Sequence, residues 1–200
     1  MASSKTRQQL EDWISVIDVD ADRVIDIGGS QLSIMNRVNS WKVNEYKVLD
    51  LEEPHVCKQK PDVIFDLNTD GRLSVNEKKE LNKGFDVAFC LEVSEYWYDP
   101  MRAIKNIAAM LKSGGILYIS FHFIYPVHNP PQEDYMRYTK AGAEKLLEAA
   151  GFEIVFNRTR LGFNNAMQSL FDFYSKEKMR PTKLQNCHNE IGCLIECKKL

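Results

Sequence analysis

Two hundred residues are the span of one domain, and a chain of that length buries about 70% of the surface its unfolded form exposes, enough for a core without cross-links. Hydrophobic residues make up 44% and charged residues 27%, near the globular average, and no apolar run approaches the roughly 20 residues of a membrane-spanning helix. The net charge of −2, with Lys and Arg scattered, lacks the basic footprint of a protein that grips phosphate backbones, so nucleic acid is disfavoured as a partner. Met1 to Leu10 carries Lys5 and Arg7 with no apolar stretch behind them, so no secretory or lipid signal is read, a cytoplasmic location is expected and no membrane partner is implied. The five cysteines are odd in number and contain no C-x-x-C pair, which points to free thiols.

In chain order, a helix is expected over residues 5–17 within an N-terminal segment 1–20. Short apolar runs at 23–27, 47–51, 62–65, 85–90 and 115–121 then alternate with longer segments, and most are continuous enough to be strands buried on both faces. That alternation predicts an α/β fold with a mostly parallel sheet covered by helices on both faces. The run at 23–27 is expected to pass through small residues into a helix. Residues 99–112 read as a further helix, with Ile104, Ile107, Ala108 and Leu111 on one face and Gly114–Gly115 ending it. Residues 122–137 hold three prolines, three aromatics and two histidines without periodicity, and a loop over 122–138 is the expected substrate loop. Thr139 can cap a helix over 140–150, with Ala143, Leu146, Leu147 and Ala150 apolar and Gly151 as its stop. The segment 153–200 completes the domain with a strand at 153–157, an amphipathic helix at 165–178 and an alternating run at 192–198 suited to an edge strand. Seven strands in one domain, residues 1–200, follow.

The most informative stretch is Val24-Ile-Asp-Ile-Gly-Gly-Ser30, a buried strand entering a glycine turn, where the lack of Cβ atoms lets a backbone approach a nucleotide-like ligand at the carboxyl end of a sheet. Asp50 ends the second strand, in Val48-Leu-Asp-Leu51, where a carboxylate can accept both hydrogen bonds of a ribose diol. The dinucleotide pattern G-x-G-x-x-G is absent, which argues against an oxidoreductase.

Together, Asp26-Ile-Gly-Gly, Asp50 and Phe85-Asp-Val-Ala-Phe-Cys-Leu-Glu-Val-Ser-Glu95 followed by Asp99-Pro100 resemble class I S-adenosylmethionine-dependent methyltransferases of the type 11 kind, over about residues 23–152. The resemblance implies the Rossmann-like class I methyltransferase fold with S-adenosyl-L-methionine as cofactor. It also implies that Gly28, Gly29 and Ser30 line the methionine portion, with Asp26 in the same turn. Asp50, followed by Leu51, would hold the ribose, Asp66 and Leu67 flank the adenine, and Leu91 and Glu92 close the pocket. Ser30 and Leu32 stand where the family commonly has its second and third glycines, a change that a relative without cofactor binding would share. The family's frequent Glu-His reads Glu95-Tyr96 here, so a histidine base at that place is missing.

Methyl transfer to a hydroxyl needs a proton acceptor, and histidine titrates near neutrality. His128 is the first candidate and His122 the second, both in the loop with Tyr135 and Arg137. An architectural reading stands beside it, with Arg137 paired to a carboxylate and Tyr135 packing the loop. The loop resembles that of methyltransferases associated with glycan biosynthesis, so the implied acceptor is a small molecule or sugar.

Two rival motifs remain. Residues 66–77 fit the calcium-loop spacing D-x-[DN]-x-[DN]-G with Glu77 at the twelfth place, although the strand-like Pro61-Asp-Val-Ile-Phe65 stands where such a loop needs a helix. Cys187-His188, Cys193 and Cys197 invite a zinc site, but their spacing is wrong for one and Cys193, Ile195 and Cys197 alternate as core residues do, so no metal ligand is assigned.

Overall fold

A computed structural model describes residues 5–69, 81–161 and 190–200. The helix expected over 165–178, the pair Cys187-His188 and most of the calcium-like loop lie outside them. Seven strands form one sheet in the order β3-β2-β1-β4-β5-β7-β6. They are β1 (Asp18–Ile27), β2 (Ser40–Asp50), β3 (Val63–Ile64), β4 (Phe85–Cys90), β5 (Leu111–His122), β6 (Phe152–Leu161) and β7 (Glu190–Lys199). The helices that lie wholly within the described residues are α1 (Lys5–Ile14), α2 (Pro100–Met110) and α3 (Lys140–Ala149).

The sheet is mixed, where a mostly parallel one was expected: β1 to β5 pair in parallel, but β7 runs antiparallel to both β5 and β6. Nor is the last strand an edge. It is inserted between β5 and β6, and β6 takes the edge with Val155 and Phe156 exposed. Side chains on both faces of β7 decide this, because Cys193, Ile195 and Cys197 join the core under α2 and α3 while Leu194 joins the core under α1. A strand apolar on both faces gains most from an interior place.

Period-two alternation distributes the other strands in the same way. Ile25, Ile27, Ala88 and Cys90 face Ile104, Ile107, Ala143 and Leu147, whereas Val24 and Phe89 face Leu10, Trp13 and Ile14. Helices thus cover both faces. Asp99 caps α2, its side chain accepting from the Arg102 N–H at 3.1 Å, and Thr139 caps α3 by accepting from the Gly142 N–H at 3.1 Å.

Boundaries shift where pairing overrides local pattern. β1 and β2 begin earlier than their apolar runs, because Asp18, Asp20 and Asp22 meet Ser40, Lys42 and Asn44 across an exposed two-stranded extension. α2 stops at Met110, since Leu111 already lies opposite Phe85; residues 112–115 bulge out before Ile116 meets Val87. No helix follows the glycine turn. Residues 28–39 are turns and bends, held by Ile34, whose N–H donates to Asp26 Oδ2 at 2.9 Å and whose side chain is fully buried.

Candidate active site

The carboxyl ends of β1, β2, β3 and β4 open on one cavity of about 330 Å³, within the range of small-molecule sites. Gly28, Asp50, Leu51, Asp66, Leu67, Glu92 and His128 line it; Asp26, Gly29, Ser30, Leu91 and His122 do not. Loop residues Tyr125, Glu133 and Tyr135 cover it, His55 enters from the segment after β2, and Arg7 reaches it from α1.

The glycine turn is built by packing rather than by open space. Gly28 has φ +76°, and a Cβ there would lie 2.4 Å from Val93 Cγ2; one at Gly29 would lie 2.6 Å from the Asp26 carboxylate. Asp26 acts from behind the turn. It accepts from Tyr46 Oη at 2.7 Å as well as from the Ile34 N–H, and burial, opposed by those bonds, raises its pKa to about 6. Ser30 donates its N–H to Asp50 Oδ2 at 3.2 Å, while its hydroxyl is buried with no hydrogen-bond partner among the described residues. Asp50 Oδ1 accepts the Leu51 N–H at 2.9 Å, so each oxygen of this half-buried carboxylate carries one backbone bond. Asp66 Oδ1 accepts the Asn68 N–H at 2.9 Å, and Asn68 in turn accepts from the Tyr98 N–H. Leu91 packs on the α1 side of the sheet, away from the cavity.

Behind the cavity lies a charge cluster whose members come from four segments. Glu92, two residues past the end of β4, has φ 59°, a left-handed conformation that a non-glycine residue adopts at a cost of roughly 1–3 kcal/mol. Its N–H donates to Ser120 Oγ at 2.7 Å, Ser120 Oγ donates back to Glu92 Oε1 at 2.8 Å, and Arg160 Nη1 of β6 donates to the same oxygen at 2.8 Å. His122, at the end of β5 and 1% exposed, places Nε2 3.1 Å from Glu92 Oε2 and 3.4 Å from Glu95 Oε1, ion-pair distances at angles off those of a hydrogen bond. Burial opposes charge on His122, yet the two carboxylates outweigh it and raise its pKa to about 9. Burial likewise pushes Glu92 and Glu95 up, and their cationic neighbours hold both below the usual carboxylate range.

His128, one-third exposed, sets Nδ1 2.9 Å from Glu95 Oε1 and 3.2 Å from Tyr96 Oη. Its backbone N–H donates to Asp134 Oδ2 at 2.6 Å, and Asp134 also binds Arg137, so Arg137 shapes the loop through a carboxylate. Tyr135 meets Tyr98 edge to face at 5.8 Å. Sequence reading missed Glu95, Val93 and His55 as site residues; the Glu95-Tyr96 pair was the available signal, because a family pattern stood there with its histidine replaced. Cys193 and Cys197 are buried in the core, and among the described residues no cluster of His, Cys, Asp and Glu could hold a metal ion. Among them, too, no helix is long and apolar enough to cross a membrane.

A family described as "Methyltransferase domain" matches residues 72–119. No curated protein matches the sequence. Among solved structures, an S-adenosylmethionine-dependent methyltransferase from Mesorhizobium loti superposes with a TM-score of 0.59 at 13% identity, over 98% of this chain and 99% of that one. The N-methyltransferase NodS from Bradyrhizobium japonicum, in complex with S-adenosyl-L-homocysteine, gives 0.53 at 14% identity over 96% and 85%. The [4+2]-cyclase SpnF gives 0.54 at 14% over 98% and 80%. The chain therefore has the class I methyltransferase fold and carries, across residues 72–119, the sequence signature of a methyltransferase domain.

Proposed function

We propose that this chain transfers the methyl group of S-adenosylmethionine to a hydroxyl of a small, uncharged acceptor, with sugars the first class to test. The observation that supports this reading is the charge of the cavity wall, where Asp50, Asp66 and Glu133 stand against Arg7 and His55, the charge of Glu92 being met from behind by Arg160 and His122. Such a wall attracts a sulfonium cation and repels phosphorylated or carboxylated acceptors. Asp50 would hold the ribose diol, since an ionised carboxylate with one bond on each oxygen keeps lone pairs for two more. Leu51, Phe65 and Leu67 would flank the adenine, and the Gly28 backbone with Arg7 would face the methionine end.

When bound, the cofactor supplies the electrophilic methyl carbon. The chain's own residues supply alignment and dryness: the aromatic loop closes over the cavity, and Tyr98 and Tyr135, each about half exposed at 54% and 48%, offer ring faces to the C–H face of a sugar. His128 would accept the hydroxyl proton.

A second reading, a relative that uses this fold without methyl transfer, is favoured by the absence of a helix over residues 28–39, which leaves the glycine turn without a helix N-terminus behind it. The cyclase SpnF, of like fold, is named for a different reaction. Calorimetric titration with S-adenosylmethionine and S-adenosylhomocysteine, for the wild type and Asp50→Ala, tests the proposal. Micromolar binding, weakened about 10–100-fold by loss of hydrogen bonds to a charged group, is expected. Failure of both compounds to bind would overturn it, and a calcium-dependent rise in melting temperature would then point to residues 66–77.

A further inference from the structure

We propose that Glu95 is a positioning residue that makes His128 a base of defined tautomer, with the proton on Nδ1 and the lone pair on Nε2. The inference deepens the methyl-transfer reading and rests on it for its functional meaning. Its geometry is independent of any ligand. Glu95 lies in the short 3-10 turn Ser94–Tyr96, with its side chain 1% exposed, and its Oε1 is 2.9 Å from His128 Nδ1. A carboxylate is an acceptor only, so the imidazole must donate from Nδ1. No hydrogen bond occupies Nε2 among the described residues. Tyr96 Oη cannot reverse this assignment, because it spends its proton on the Asn129 carbonyl at 2.9 Å and can only accept from Nδ1.

The buried half of the cluster keeps Glu95 ionised. Around His122 stand Glu92 from just past β4, Glu95 from the 3-10 turn, Tyr125 and His128 from the loop, with Arg160 of β6 beyond Glu92. His122 and Arg160 supply two positive charges to two carboxylates, so the site holds Glu95 as an anion without needing charge on His128. One carboxylate oxygen is thus shared by two imidazoles with different duties. The enclosed His122 carries the compensating charge, and the half-open His128 presents a lone pair at the cavity. The histidine missing after Glu95 in sequence arrives in space from a loop thirty-three residues on.

The arrangement also suits the backbone. Glu95's carbonyl accepts the N–H groups of Tyr135 and Met136 at 2.8 and 3.0 Å, so the same residue fixes the far end of the loop that bears His128. Substitution of its side chain leaves those bonds in place.

The test is long-range ¹H–¹⁵N spectroscopy of the full chain labelled at its four histidines, with His128→Gln used to assign the signal. In the wild type above neutral pH, His128 is expected to show the Nδ1–H tautomer, the reverse of the free imidazole's preference. Glu95→Met, close in shape and without an acceptor, is expected to return His128 to mainly Nε2–H, while Glu95→Gln, which keeps an acceptor oxygen, retains Nδ1–H. A merely structural role for Glu95 would not separate these two variants. An Nε2–H signal in the wild type overturns the proposal, and does so even if Glu95→Met fails to fold; so does a Glu95→Met protein that folds and keeps Nδ1–H. S-adenosylhomocysteine titration of the same samples separates the two failures: loss of binding removes the methyl-transfer reading and leaves the tautomer result standing.

Discussion

Gly28 and His128 illustrate two different demands on single residues. At Gly28 the backbone is left-handed and Val93 fills the space a side chain would take, so Gly28→Ala incurs both strain and overlap. A loss of about 1–3 kcal/mol in denaturant unfolding is expected. Val93→Ala in the same chain should restore only part of it, because removing both γ-methyl groups, Cγ2 among them, leaves φ unchanged; additive losses would show that the contact is not what the glycine serves. At His128 the demand is chemical. His128→Ala is expected to lower kcat about 10²–10⁴-fold with the true acceptor and to leave S-adenosylhomocysteine affinity unchanged. Unchanged turnover would remove it as base.

The same division holds among elements. β7 is the terminal strand, yet it couples the sheet to the loop over the cavity: Gly192 pairs with His122, and the Phe123 and Ile124 N–H groups both donate to the Ile191 carbonyl, at 2.9 and 3.3 Å. A Cβ at Gly192 would lie 2.3 Å from the Phe121 carbonyl oxygen, which is backbone and cannot move aside. Gly192→Ala is therefore expected to destabilise by about 1–3 kcal/mol and to speed amide exchange at Phe123 and Ile124 ahead of residues in β1. Uniform exchange across the sheet would mean that β7 and the loop are not coupled in this way. Much of this layer was legible from residues. The apolar runs at 85–90 and 115–121 lie in β4 and β5, and the stripe Ile104, Ile107 and Ala108 is the buried face of α2. The exposed starts of β1 and β2 had a period-two signal, Asp18-Val-Asp-Ala-Asp22, which polarity masked.

For the molecule as a whole, the buried charges set the pH range of stability. His122 titrates near 9 in the fold and near 6.5 in an unfolded chain, so its contribution is complete below about pH 6.5 and is lost as pH rises through about 9. Glu92 and Glu95 are held low, so theirs is complete above about pH 4.5 and is lost in acid. Asp26, raised to about 6, favours the fold when protonated and withdraws that contribution as pH rises from about 4 to 6. Melting temperatures are expected to be highest between about pH 5 and 7 and to fall on the alkaline side, and His122→Gln should flatten the alkaline limb. A melting temperature that rises steadily from neutrality to about pH 10 would contradict the charge assignment.

Composition, periodicity and the run Val24–Ser30 were enough for an α/β sheet with helices on both faces, and Gly28 and Asp50, read from the same runs, line one cavity, because strand burial and glycine turns are local properties that residues a few places apart record. The direction and place of β7, the turns that follow Gly28 in place of a helix, and the meeting of Glu92, Glu95, His122 and His128 were decided only in three dimensions. Each depends on partners tens of residues away: β7 on which two strands flank it, Ile34 on the carboxylate of Asp26, and the tautomer of His128 on a glutamate whose neighbour in sequence is a tyrosine.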